Sequence, residues 1–202
     1  MNNMFAAMLA AASAKPLPYN RRLAYLESTG TQYIDTLIKP RDYLVFRSLA
    51  ELSITNASAA TYWGENNGYW FGTANSQWTV GGGVNLGVVT GGKQLVDFQG
   101  TTTAYDSDAI QIAATVDDGA VGIRNTTSGR LASNGDYYLF ALNSFTSLVK
   151  MSGRLYSQKI YGDGVLVRDL IPVLDFNDTP CLYDKVSRQL FSNQGTGQFN
   201  YA

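Results

Sequence analysis

The sequence predicts an all-β protein built from two packed antiparallel sheets, and three observations carry that prediction. Thirteen Tyr, nine Phe, three Trp and twenty Gly stand against only five Pro; aromatic rings suit pleated, half-buried surfaces, and glycine supplies the positive φ that tight turns need. Several segments alternate apolar and polar residues with a period of two, the signature of a half-buried strand. Beyond residue 20 no apolar pattern of helical period runs to useful length. At 202 residues with 45% hydrophobic content, the chain suits a single core, which we place in residues 21–202.

Residues 1–20, MNNMFAAMLAAASAKPLPYN, differ from everything after them. Ala and Met favour helix from Met4 to Ala14, and Pro16 and Pro18 end it. We expect a helical or extended anchoring arm that docks the chain into an assembly, with Met4, Phe5, Met8, Leu9 and Leu17 as its apolar contacts. The competing expectation is a secretory signal. Ala12-Ser13-Ala14 matches a small-residue cleavage pattern behind a short apolar run, although no Lys or Arg precedes that run.

From Arg21 the pattern becomes β. Between Thr31 and Ile38, the residues Gln32, Ile34, Thr36 and Ile38 share one face, and Thr31, Tyr33, Asp35 and Leu37 share the other. Residues 43–54 alternate for longer, with Leu44, Phe46, Ser48, Ala50, Leu52 and Ile54 inward and Arg47, Glu51 and Ser53 outward. The stretch 61–98 reads as short aromatic strands cut by glycine: Tyr62-Trp63-Gly64, Tyr69-Trp70-Phe71-Gly72 and Gln77-Trp78-Thr79-Val80, then 84–89 and 94–98. Ile110–Val116 alternates again and turns at Asp117-Asp118-Gly119 into 120–124. Tyr137–Leu142 reads as one central strand. Arg154–Tyr161 and Val165–Ile171 form a hairpin about Gly162-Asp163-Gly164.

Composition excludes several functions. Net charge is −1, only 15% of residues are charged, and no basic cluster exceeds Arg21-Arg22, so the electrostatic footprint for nucleic acid is missing. Histidine is absent, which removes Ser-His-Asp and Cys-His nucleophile activation and His-ligated zinc. Cys181 is the one cysteine; it forms no intrachain disulfide and reads as a small buried apolar residue. No apolar run reaches membrane-spanning length.

Several stretches carry a resemblance. Near the start stands Leu26-Glu27-Ser28-Thr29-Gly30-Thr31-Gln32-Tyr33-Ile34-Asp35-Thr36. Toward the end come Leu155-Tyr156-Ser157-Gln158-Lys159-Ile160-Tyr161, Gly164 to Pro172, Leu182-Tyr183-Asp184-Lys185-Val186, and Phe191 to Phe199. Together they resemble the concanavalin A-like, laminin G-like jelly-roll domains of bacteriophage structural proteins and of some surface proteins of gut bacteria. The resemblance spans about residues 21–202, its specific ends flanking a variable middle. It implies a sandwich of two curved sheets, used in tail, fibre or head appendages as a glycan-binding or spacer module, with the first and last strands paired.

Fold analogy does not establish activity, so chemistry rests on sites. Related glucanases place two carboxylates on one strand in a Glu-x-Asp-x-x-Glu pattern, and retaining hydrolysis needs the pair about 5–5.5 Å apart. Here Glu27, Glu51 and Glu65 are the only glutamates, and none sits in that pattern; no enzyme activity is expected. Asp106-Ser107-Asp108 and Asp175-Phe176-Asn177-Asp178 offer oxygen ligands but match no complete calcium loop, so turn roles are expected, with no metal and no cofactor. Trp63, Glu65, Asn66, Asn67, Trp70 and Trp78 are the candidate glycan-binding residues, because rings stack on sugar faces while amides and carboxylates bond the hydroxyls. Neighbouring strand positions face opposite ways, so about half of the aromatics here belong to the core in any case. Arg154, Arg168 and Asp169 read as ion-pair residues of the terminal hairpin.

The sequence thus points to a non-enzymatic bacteriophage virion protein, a head or tail appendage docked through residues 1–20 and touching host-surface polysaccharide. A homo-oligomer is expected from closed symmetry, a trimer being the first guess. The alternative is a secreted or surface bacterial carbohydrate-binding module.

Overall fold

A computed structural model describes residues 16–55, 61–65, 69–80, 84–119, 121–126, 130–131, 134–143 and 148–202. The chain is all-β, two largely antiparallel sheets packed as a sandwich, with one 3-10 turn at Pro40–Asp42. The larger sheet is 11-stranded and the smaller 8-stranded over the described residues. Along the larger sheet the order is Gly122–Thr126, Ile110–Val116, Gln94–Thr101, Val45–Ile54, Ser152–Gly162, Val165–Leu174, Pro180–Asp184 and Leu190–Phe191. In the smaller it is Leu148–Lys150, Ala141–Asn143, Thr61–Glu65, Trp70–Ala74, Gln77–Val80 and Val84–Val88, with Tyr138–Leu139 bridging Ile34–Asp35 to Gly64.

Period-two alternation places the core. Phe46, Ala50 and Leu52 face inward from Val45–Ile54, Val96 and Phe98 from Gln94–Thr101, and Ile112 and Ala114 from Ile110–Val116. Trp63, Phe71, Trp78 and Val80 meet them from the smaller sheet. Phe46 contacts Tyr69, Phe98 and Tyr137 at ring-centroid distances of 5.8, 6.5 and 4.9 Å, spacings at which tilted rings attract beyond their area. A short polar chain crosses this apolar interior. The Tyr137 hydroxyl and the Gln158 amide both bond the Ser48 hydroxyl, at 3.0 and 2.9 Å, tying the sheets at one fixed register.

The turns follow their residues. Asp163 and Gly164, with φ of 49° and 80°, make a two-residue turn with positive φ at both positions, matching the twist of a hairpin. The Asp163 carboxylate then accepts the Val45 amide at 2.9 Å. Asn75 and Ser76 (φ 51° and 61°) do the same between Trp70–Ala74 and Gln77–Val80. Three expected elements change. The alternation expected over residues 31–38 is a strand only at Ile34–Asp35, and Leu37 leaves it at φ 57°. The strand expected over 120–124 runs instead over Gly122–Thr126, and the central strand expected over Tyr137–Leu142 is broken at Phe140, whose φ of 62° splits it into Tyr138–Leu139 and Ala141–Asn143.

The two ends of the chain are clasped together. Leu26–Thr29 pairs with Asn200–Tyr201 on one side and with the first turn of Ser152–Gly162 on the other. The buried Gln32 side chain accepts the Thr29 amide at 2.9 Å and donates to the Gln198 carbonyl at 3.0 Å. From the other end, Asn193 accepts the Tyr33 and Gly195 amides at 3.1 and 2.8 Å and donates to the Gly197 carbonyl at 2.9 Å. Gly195 lies so close that a Cβ there would run into the Thr31 carbonyl oxygen.

The strands Val165–Leu174 and Pro180–Asp184 each end in five consecutive buried residues, so both of their faces are covered. Inward lie Leu170, Leu174 and Leu182; outward, Ile171, Val173, Cys181 and Tyr183 form a second cluster packed against Tyr19 and Leu190. Residues 16–20, assigned to the arm from sequence, therefore include part of this outer cover: the Asn20 amide bonds the Leu174 carbonyl at 2.8 Å, and the Tyr19 ring lies 5.0 Å from Tyr183. Leu17 is 53% exposed. Met4, Phe5, Met8 and Leu9 lie outside the described residues. Cys181 is buried, and burial pushes its thiol up to about 12.

Gln32→Ala removes a buried side chain and strands the part-buried Thr29 amide and Gln198 carbonyl, and is expected to lower stability by about 1–3 kcal/mol. Lys93→Ala, which breaks an exposed pair with Glu51, is expected to cost less than ~1 kcal/mol. Urea unfolding of both variants checks the order; equal midpoints would remove the clasp from its structural role.

Candidate functional site

The residues expected at a glycan groove separate by face. Trp63 is fully buried, stacked on Phe71 at 5.7 Å and beside Phe140 at 5.2 Å. Trp78 is buried too, its indole N–H donating to Gln94 at 3.0 Å. Glu65 is buried, its backbone amide bonded to the Tyr69 carbonyl at 2.9 Å. Burial places all three in the packing of the sandwich rather than on its surface. Trp70, next to the inward Phe71, faces outward and is partly exposed. Asn66 and Asn67 lie outside the described residues.

The outer face that Trp70 joins carries groups that its own strand does not reveal. Ile34 and Leu139 point into the core, so their neighbours Asp35 and Tyr138 point out, and those two stand opposite each other. Tyr138 is also opposite Gly64, and Gly64 opposite Trp70. Asp35, Tyr138, Gly64 and Trp70 therefore form one cross-strand row, roughly 14 Å long at the usual strand spacing of about 4.8 Å. Gly64 has φ 123°, and a Cβ there would meet the Tyr69 carbonyl oxygen, so this position between the two rings takes no side chain. Tyr33 extends the row: its ring lies 5.0 Å from Tyr138, and the Lys150 ammonium sits 6.0 Å from the Tyr33 ring centre.

Electrostatics concentrate at the same place. Partial burial, reinforced by the nearby Asp136 charge, raises the Asp35 carboxyl above its ordinary value, although a hydrogen bond from the Leu37 amide opposes the shift. The Tyr138 hydroxyl is pushed up to about 12, by burial first and then by Asp35, Tyr33 and Asp136. Partly exposed rings beside carboxylate acceptors are what a sugar face and its hydroxyls require.

Compared with known proteins, the chain matches no family model, and no curated protein matches it. The surface must be read from its own geometry.

Elsewhere charges are used structurally. The outer face of the larger sheet is laced by ion pairs: Arg47–Asp97, Lys93–Glu51 at 3.1 Å, Arg154–Glu27 at 3.3 Å and Lys185–Asp169 at 2.7 Å. Arg168 reaches Asp184 at 3.7 Å and lies over the Phe191 ring at 5.2 Å. Arg154, Arg168 and Asp169 are thus in ion pairs, but with partners outside the terminal hairpin. The Asp184 carboxylate, fully buried, also accepts the Asp169, Val186 and Ser187 amides at 2.8, 3.1 and 3.1 Å, which shapes the turn that follows it. Asp175 accepts the Asn177 and Thr179 amides, each at 2.8 Å, as a turn residue does. No group of three or more Asp, Glu or Cys is placed to hold a metal among the described residues, and no helix there is long and apolar enough to cross a membrane.

Sequence reasoning missed Arg130. Its fully buried guanidinium donates to the Tyr69 hydroxyl at 3.2 Å, to the Tyr105 and Ser107 carbonyls at 3.0 Å each, and to the Arg41 and Tyr43 carbonyls at 2.6 and 3.4 Å. All five donors are engaged, so Arg130 pins two loops together and has none left for a ligand.

Because the folded state raises the Asp35 pKa, the native protein binds this proton more tightly than the unfolded chain. Stability from this group is present at low pH and falls as pH rises from the ordinary aspartate value through the raised one. Asp35→Asn keeps an acceptor for the Leu37 amide and is expected to flatten that part of the melting temperature profile. An unchanged profile would remove the carboxyl from the row's electrostatics.

Proposed function

We propose that this chain is a non-enzymatic structural protein of a bacteriophage virion, a head or tail appendage that docks through its N-terminal arm and presents a glycan-binding face. The observation that carries the binding half is the outward row of Trp70, Tyr138 and Asp35, with Tyr33 and Asp136 beside it. The virion half rests on the resemblance to concanavalin A-like, laminin G-like jelly rolls. It is supported by where the resembling segments fall: Leu26 to Thr36 and Phe191 to Phe199 build the terminal clasp, and Leu155 to Pro172 the hairpin beside it. These are scaffold positions, which suits a module reused with different surfaces. Tyr19, held against the outer face of the larger sheet, would let the arm leave on the side away from the Trp70 row. Copies arranged on a particle by closed symmetry would then point their glycan faces outward.

A secreted or surface bacterial carbohydrate-binding module is the second reading, favoured by Ala12-Ser13-Ala14. Intact mass separates the two. Met1 or Asn2 retained in purified virions is the expected result, whereas a mature start near Lys15 in culture fluid would overturn the virion reading. Removing residues 1–15 is expected to abolish incorporation into particles while leaving the sandwich folded; full incorporation of the shortened chain would sink the docking arm.

A further inference from the structure

A cleft of about 270 Å³ opens at the Asp35 end of the aromatic row, lined by Asp35, Leu37, Gln189, Leu190, Phe191, Ser192 and Gln194. That volume is near the lower end for small-ligand sites, roughly 300 Å³, and suits one ring-sized ligand. Its walls combine exposed amides and a hydroxyl from Gln189, Gln194 and Ser192 with apolar surface from Leu37, Leu190 and Phe191. Asp35 belongs to both the row and the cleft, so the two are continuous.

Leu37 is the unusual residue. Its φ is 57°, a left-handed backbone that a bulky side chain rarely adopts, and its side chain is nevertheless 62% exposed. The Leu37 amide donates to the Asp35 carboxylate at 2.8 Å, which holds the turn in that form. Core packing does not account for a strained apolar residue left in solvent at the mouth of a polar cleft; such outliers collect where a ligand is gripped. The opposite wall is equally fixed, because the Gln194 amide bonds the Tyr33 carbonyl at 2.9 Å. The ring platform and the cleft wall are therefore joined directly through Tyr33.

We infer that this cleft is a terminal saccharide subsite, and that with the Tyr33–Tyr138–Trp70 platform it forms one extended site for an uncharged oligosaccharide. The inference rests on the glycan reading of the platform. The Leu37 side chain covers one face of the end sugar while Gln189, Ser192, Gln194 and Asp35 bond its hydroxyls. Charge sets the class. Asp35 and Asp136 stand together at the junction, and among the described residues Lys150 is a cation on the platform, 6.0 Å from the Tyr33 ring. Arg168, whose Nε bonds the Thr36 carbonyl, is paired with Asp184. A uronic or sialic acid would bring a further carboxylate against two others; a neutral or N-acetylated sugar would not.

The full-length chain, its Leu37→Gly, Gln194→Ala and Trp70→Ala variants, and an array of neutral, N-acetylated and uronic-acid oligosaccharides of one to six units test this. Leu37→Gly removes the side chain and fits the positive φ, so its unfolding midpoint is expected to hold or rise while binding of neutral or N-acetylated oligomers weakens by about tenfold, ~1.4 kcal/mol. Gln194→Ala is expected to weaken the same oligomers, and Trp70→Ala to weaken all of them. Oligomer binding lost in Trp70→Ala but intact in both cleft variants would overturn the subsite and leave the platform standing. Selective capture of uronic-acid chains would overturn the charge assignment. Silence across the array from folded protein would overturn both subsite and platform.

Discussion

The fold depends on two side-chain amides, Gln32 near the beginning of the chain and Asn193 near its end. Between them they bond the backbone at Thr29, Gln198, Tyr33, Gly195 and Gly197. A sandwich closed by its own termini must register the first and last strands against each other across a loop of more than a hundred residues, and backbone pairing alone is short here, two residue pairs between Leu26–Thr29 and Asn200–Tyr201. Gln32, buried, and Asn193, half-buried, use both donors and acceptors and so penalise a slipped register, because each slip leaves polar groups of the clasp without partners. Gly195 belongs to the same device, since only a residue without Cβ can lie on the Thr31 carbonyl.

Charge is distributed so that the two outer faces differ. On the larger sheet, Arg47, Lys93, Arg154 and Lys185 each sit against a carboxylate, and Arg47, Lys93 and Arg154 also lie over Tyr161, Tyr156 and Tyr25. Such exposed pairs add little stability one by one. Their larger effect is to satisfy that face internally, leaving it with modest attraction for a charged partner. On the smaller sheet the rings of Tyr33, Tyr138 and Trp70 stand in one row with Asp35, and burial first, then Asp35 and Asp136, raises the Tyr138 hydroxyl; this face therefore differs in character from the ion-paired one.

Much of the fold was legible. In residues 43–54 the inward residues Phe46, Ser48, Ala50, Leu52 and Ile54 are buried as period two requires, whereas Leu44 is half-buried and Ser53, expected outward, is buried as well; the hairpin at Asp163-Gly164 follows from residues that accept positive φ. The break at Phe140 was not legible, because a phenylalanine at φ 62° carries no turn signal and is imposed by packing between Trp63 and Phe199. Arg130 was invisible for a related reason: four of its five acceptors are backbone carbonyls of distant segments, which any sequence could supply, and the fifth, the Tyr69 hydroxyl, lies 61 positions away. The candidate site was half legible. Alternation around Ile34 and Phe71 does turn Tyr33, Asp35 and Trp70 outward, but the row is completed by Tyr138, on a two-residue strand more than sixty positions away from either neighbour. The dense Trp63-to-Trp78 stretch drew attention because it is local, and locality is what places half of its rings in the core.

Clasp and proposed recognition surface are coupled through one residue. Tyr33 donates its amide to Asn193, accepts the Gln194 amide at its carbonyl, and lays its ring against Tyr138. The bonds that close the chain on itself therefore also set the distance between the ring platform and the 189–194 wall. Rigid elements hold binding groups more closely than free loops, and a ligand meeting them loses less freedom of the protein on binding. The same coupling explains how Leu37 can be kept at positive φ: its turn is bracketed by Asp35 on a paired strand and by Thr36, whose hydroxyl bonds the Tyr137 carbonyl at 2.6 Å and whose carbonyl accepts Arg168 at 3.2 Å. Strain of this kind, of order 1–3 kcal/mol, persists only where the surroundings over-determine it, and here the surroundings are both sheets: Tyr137 beside the smaller and Arg168 from the larger.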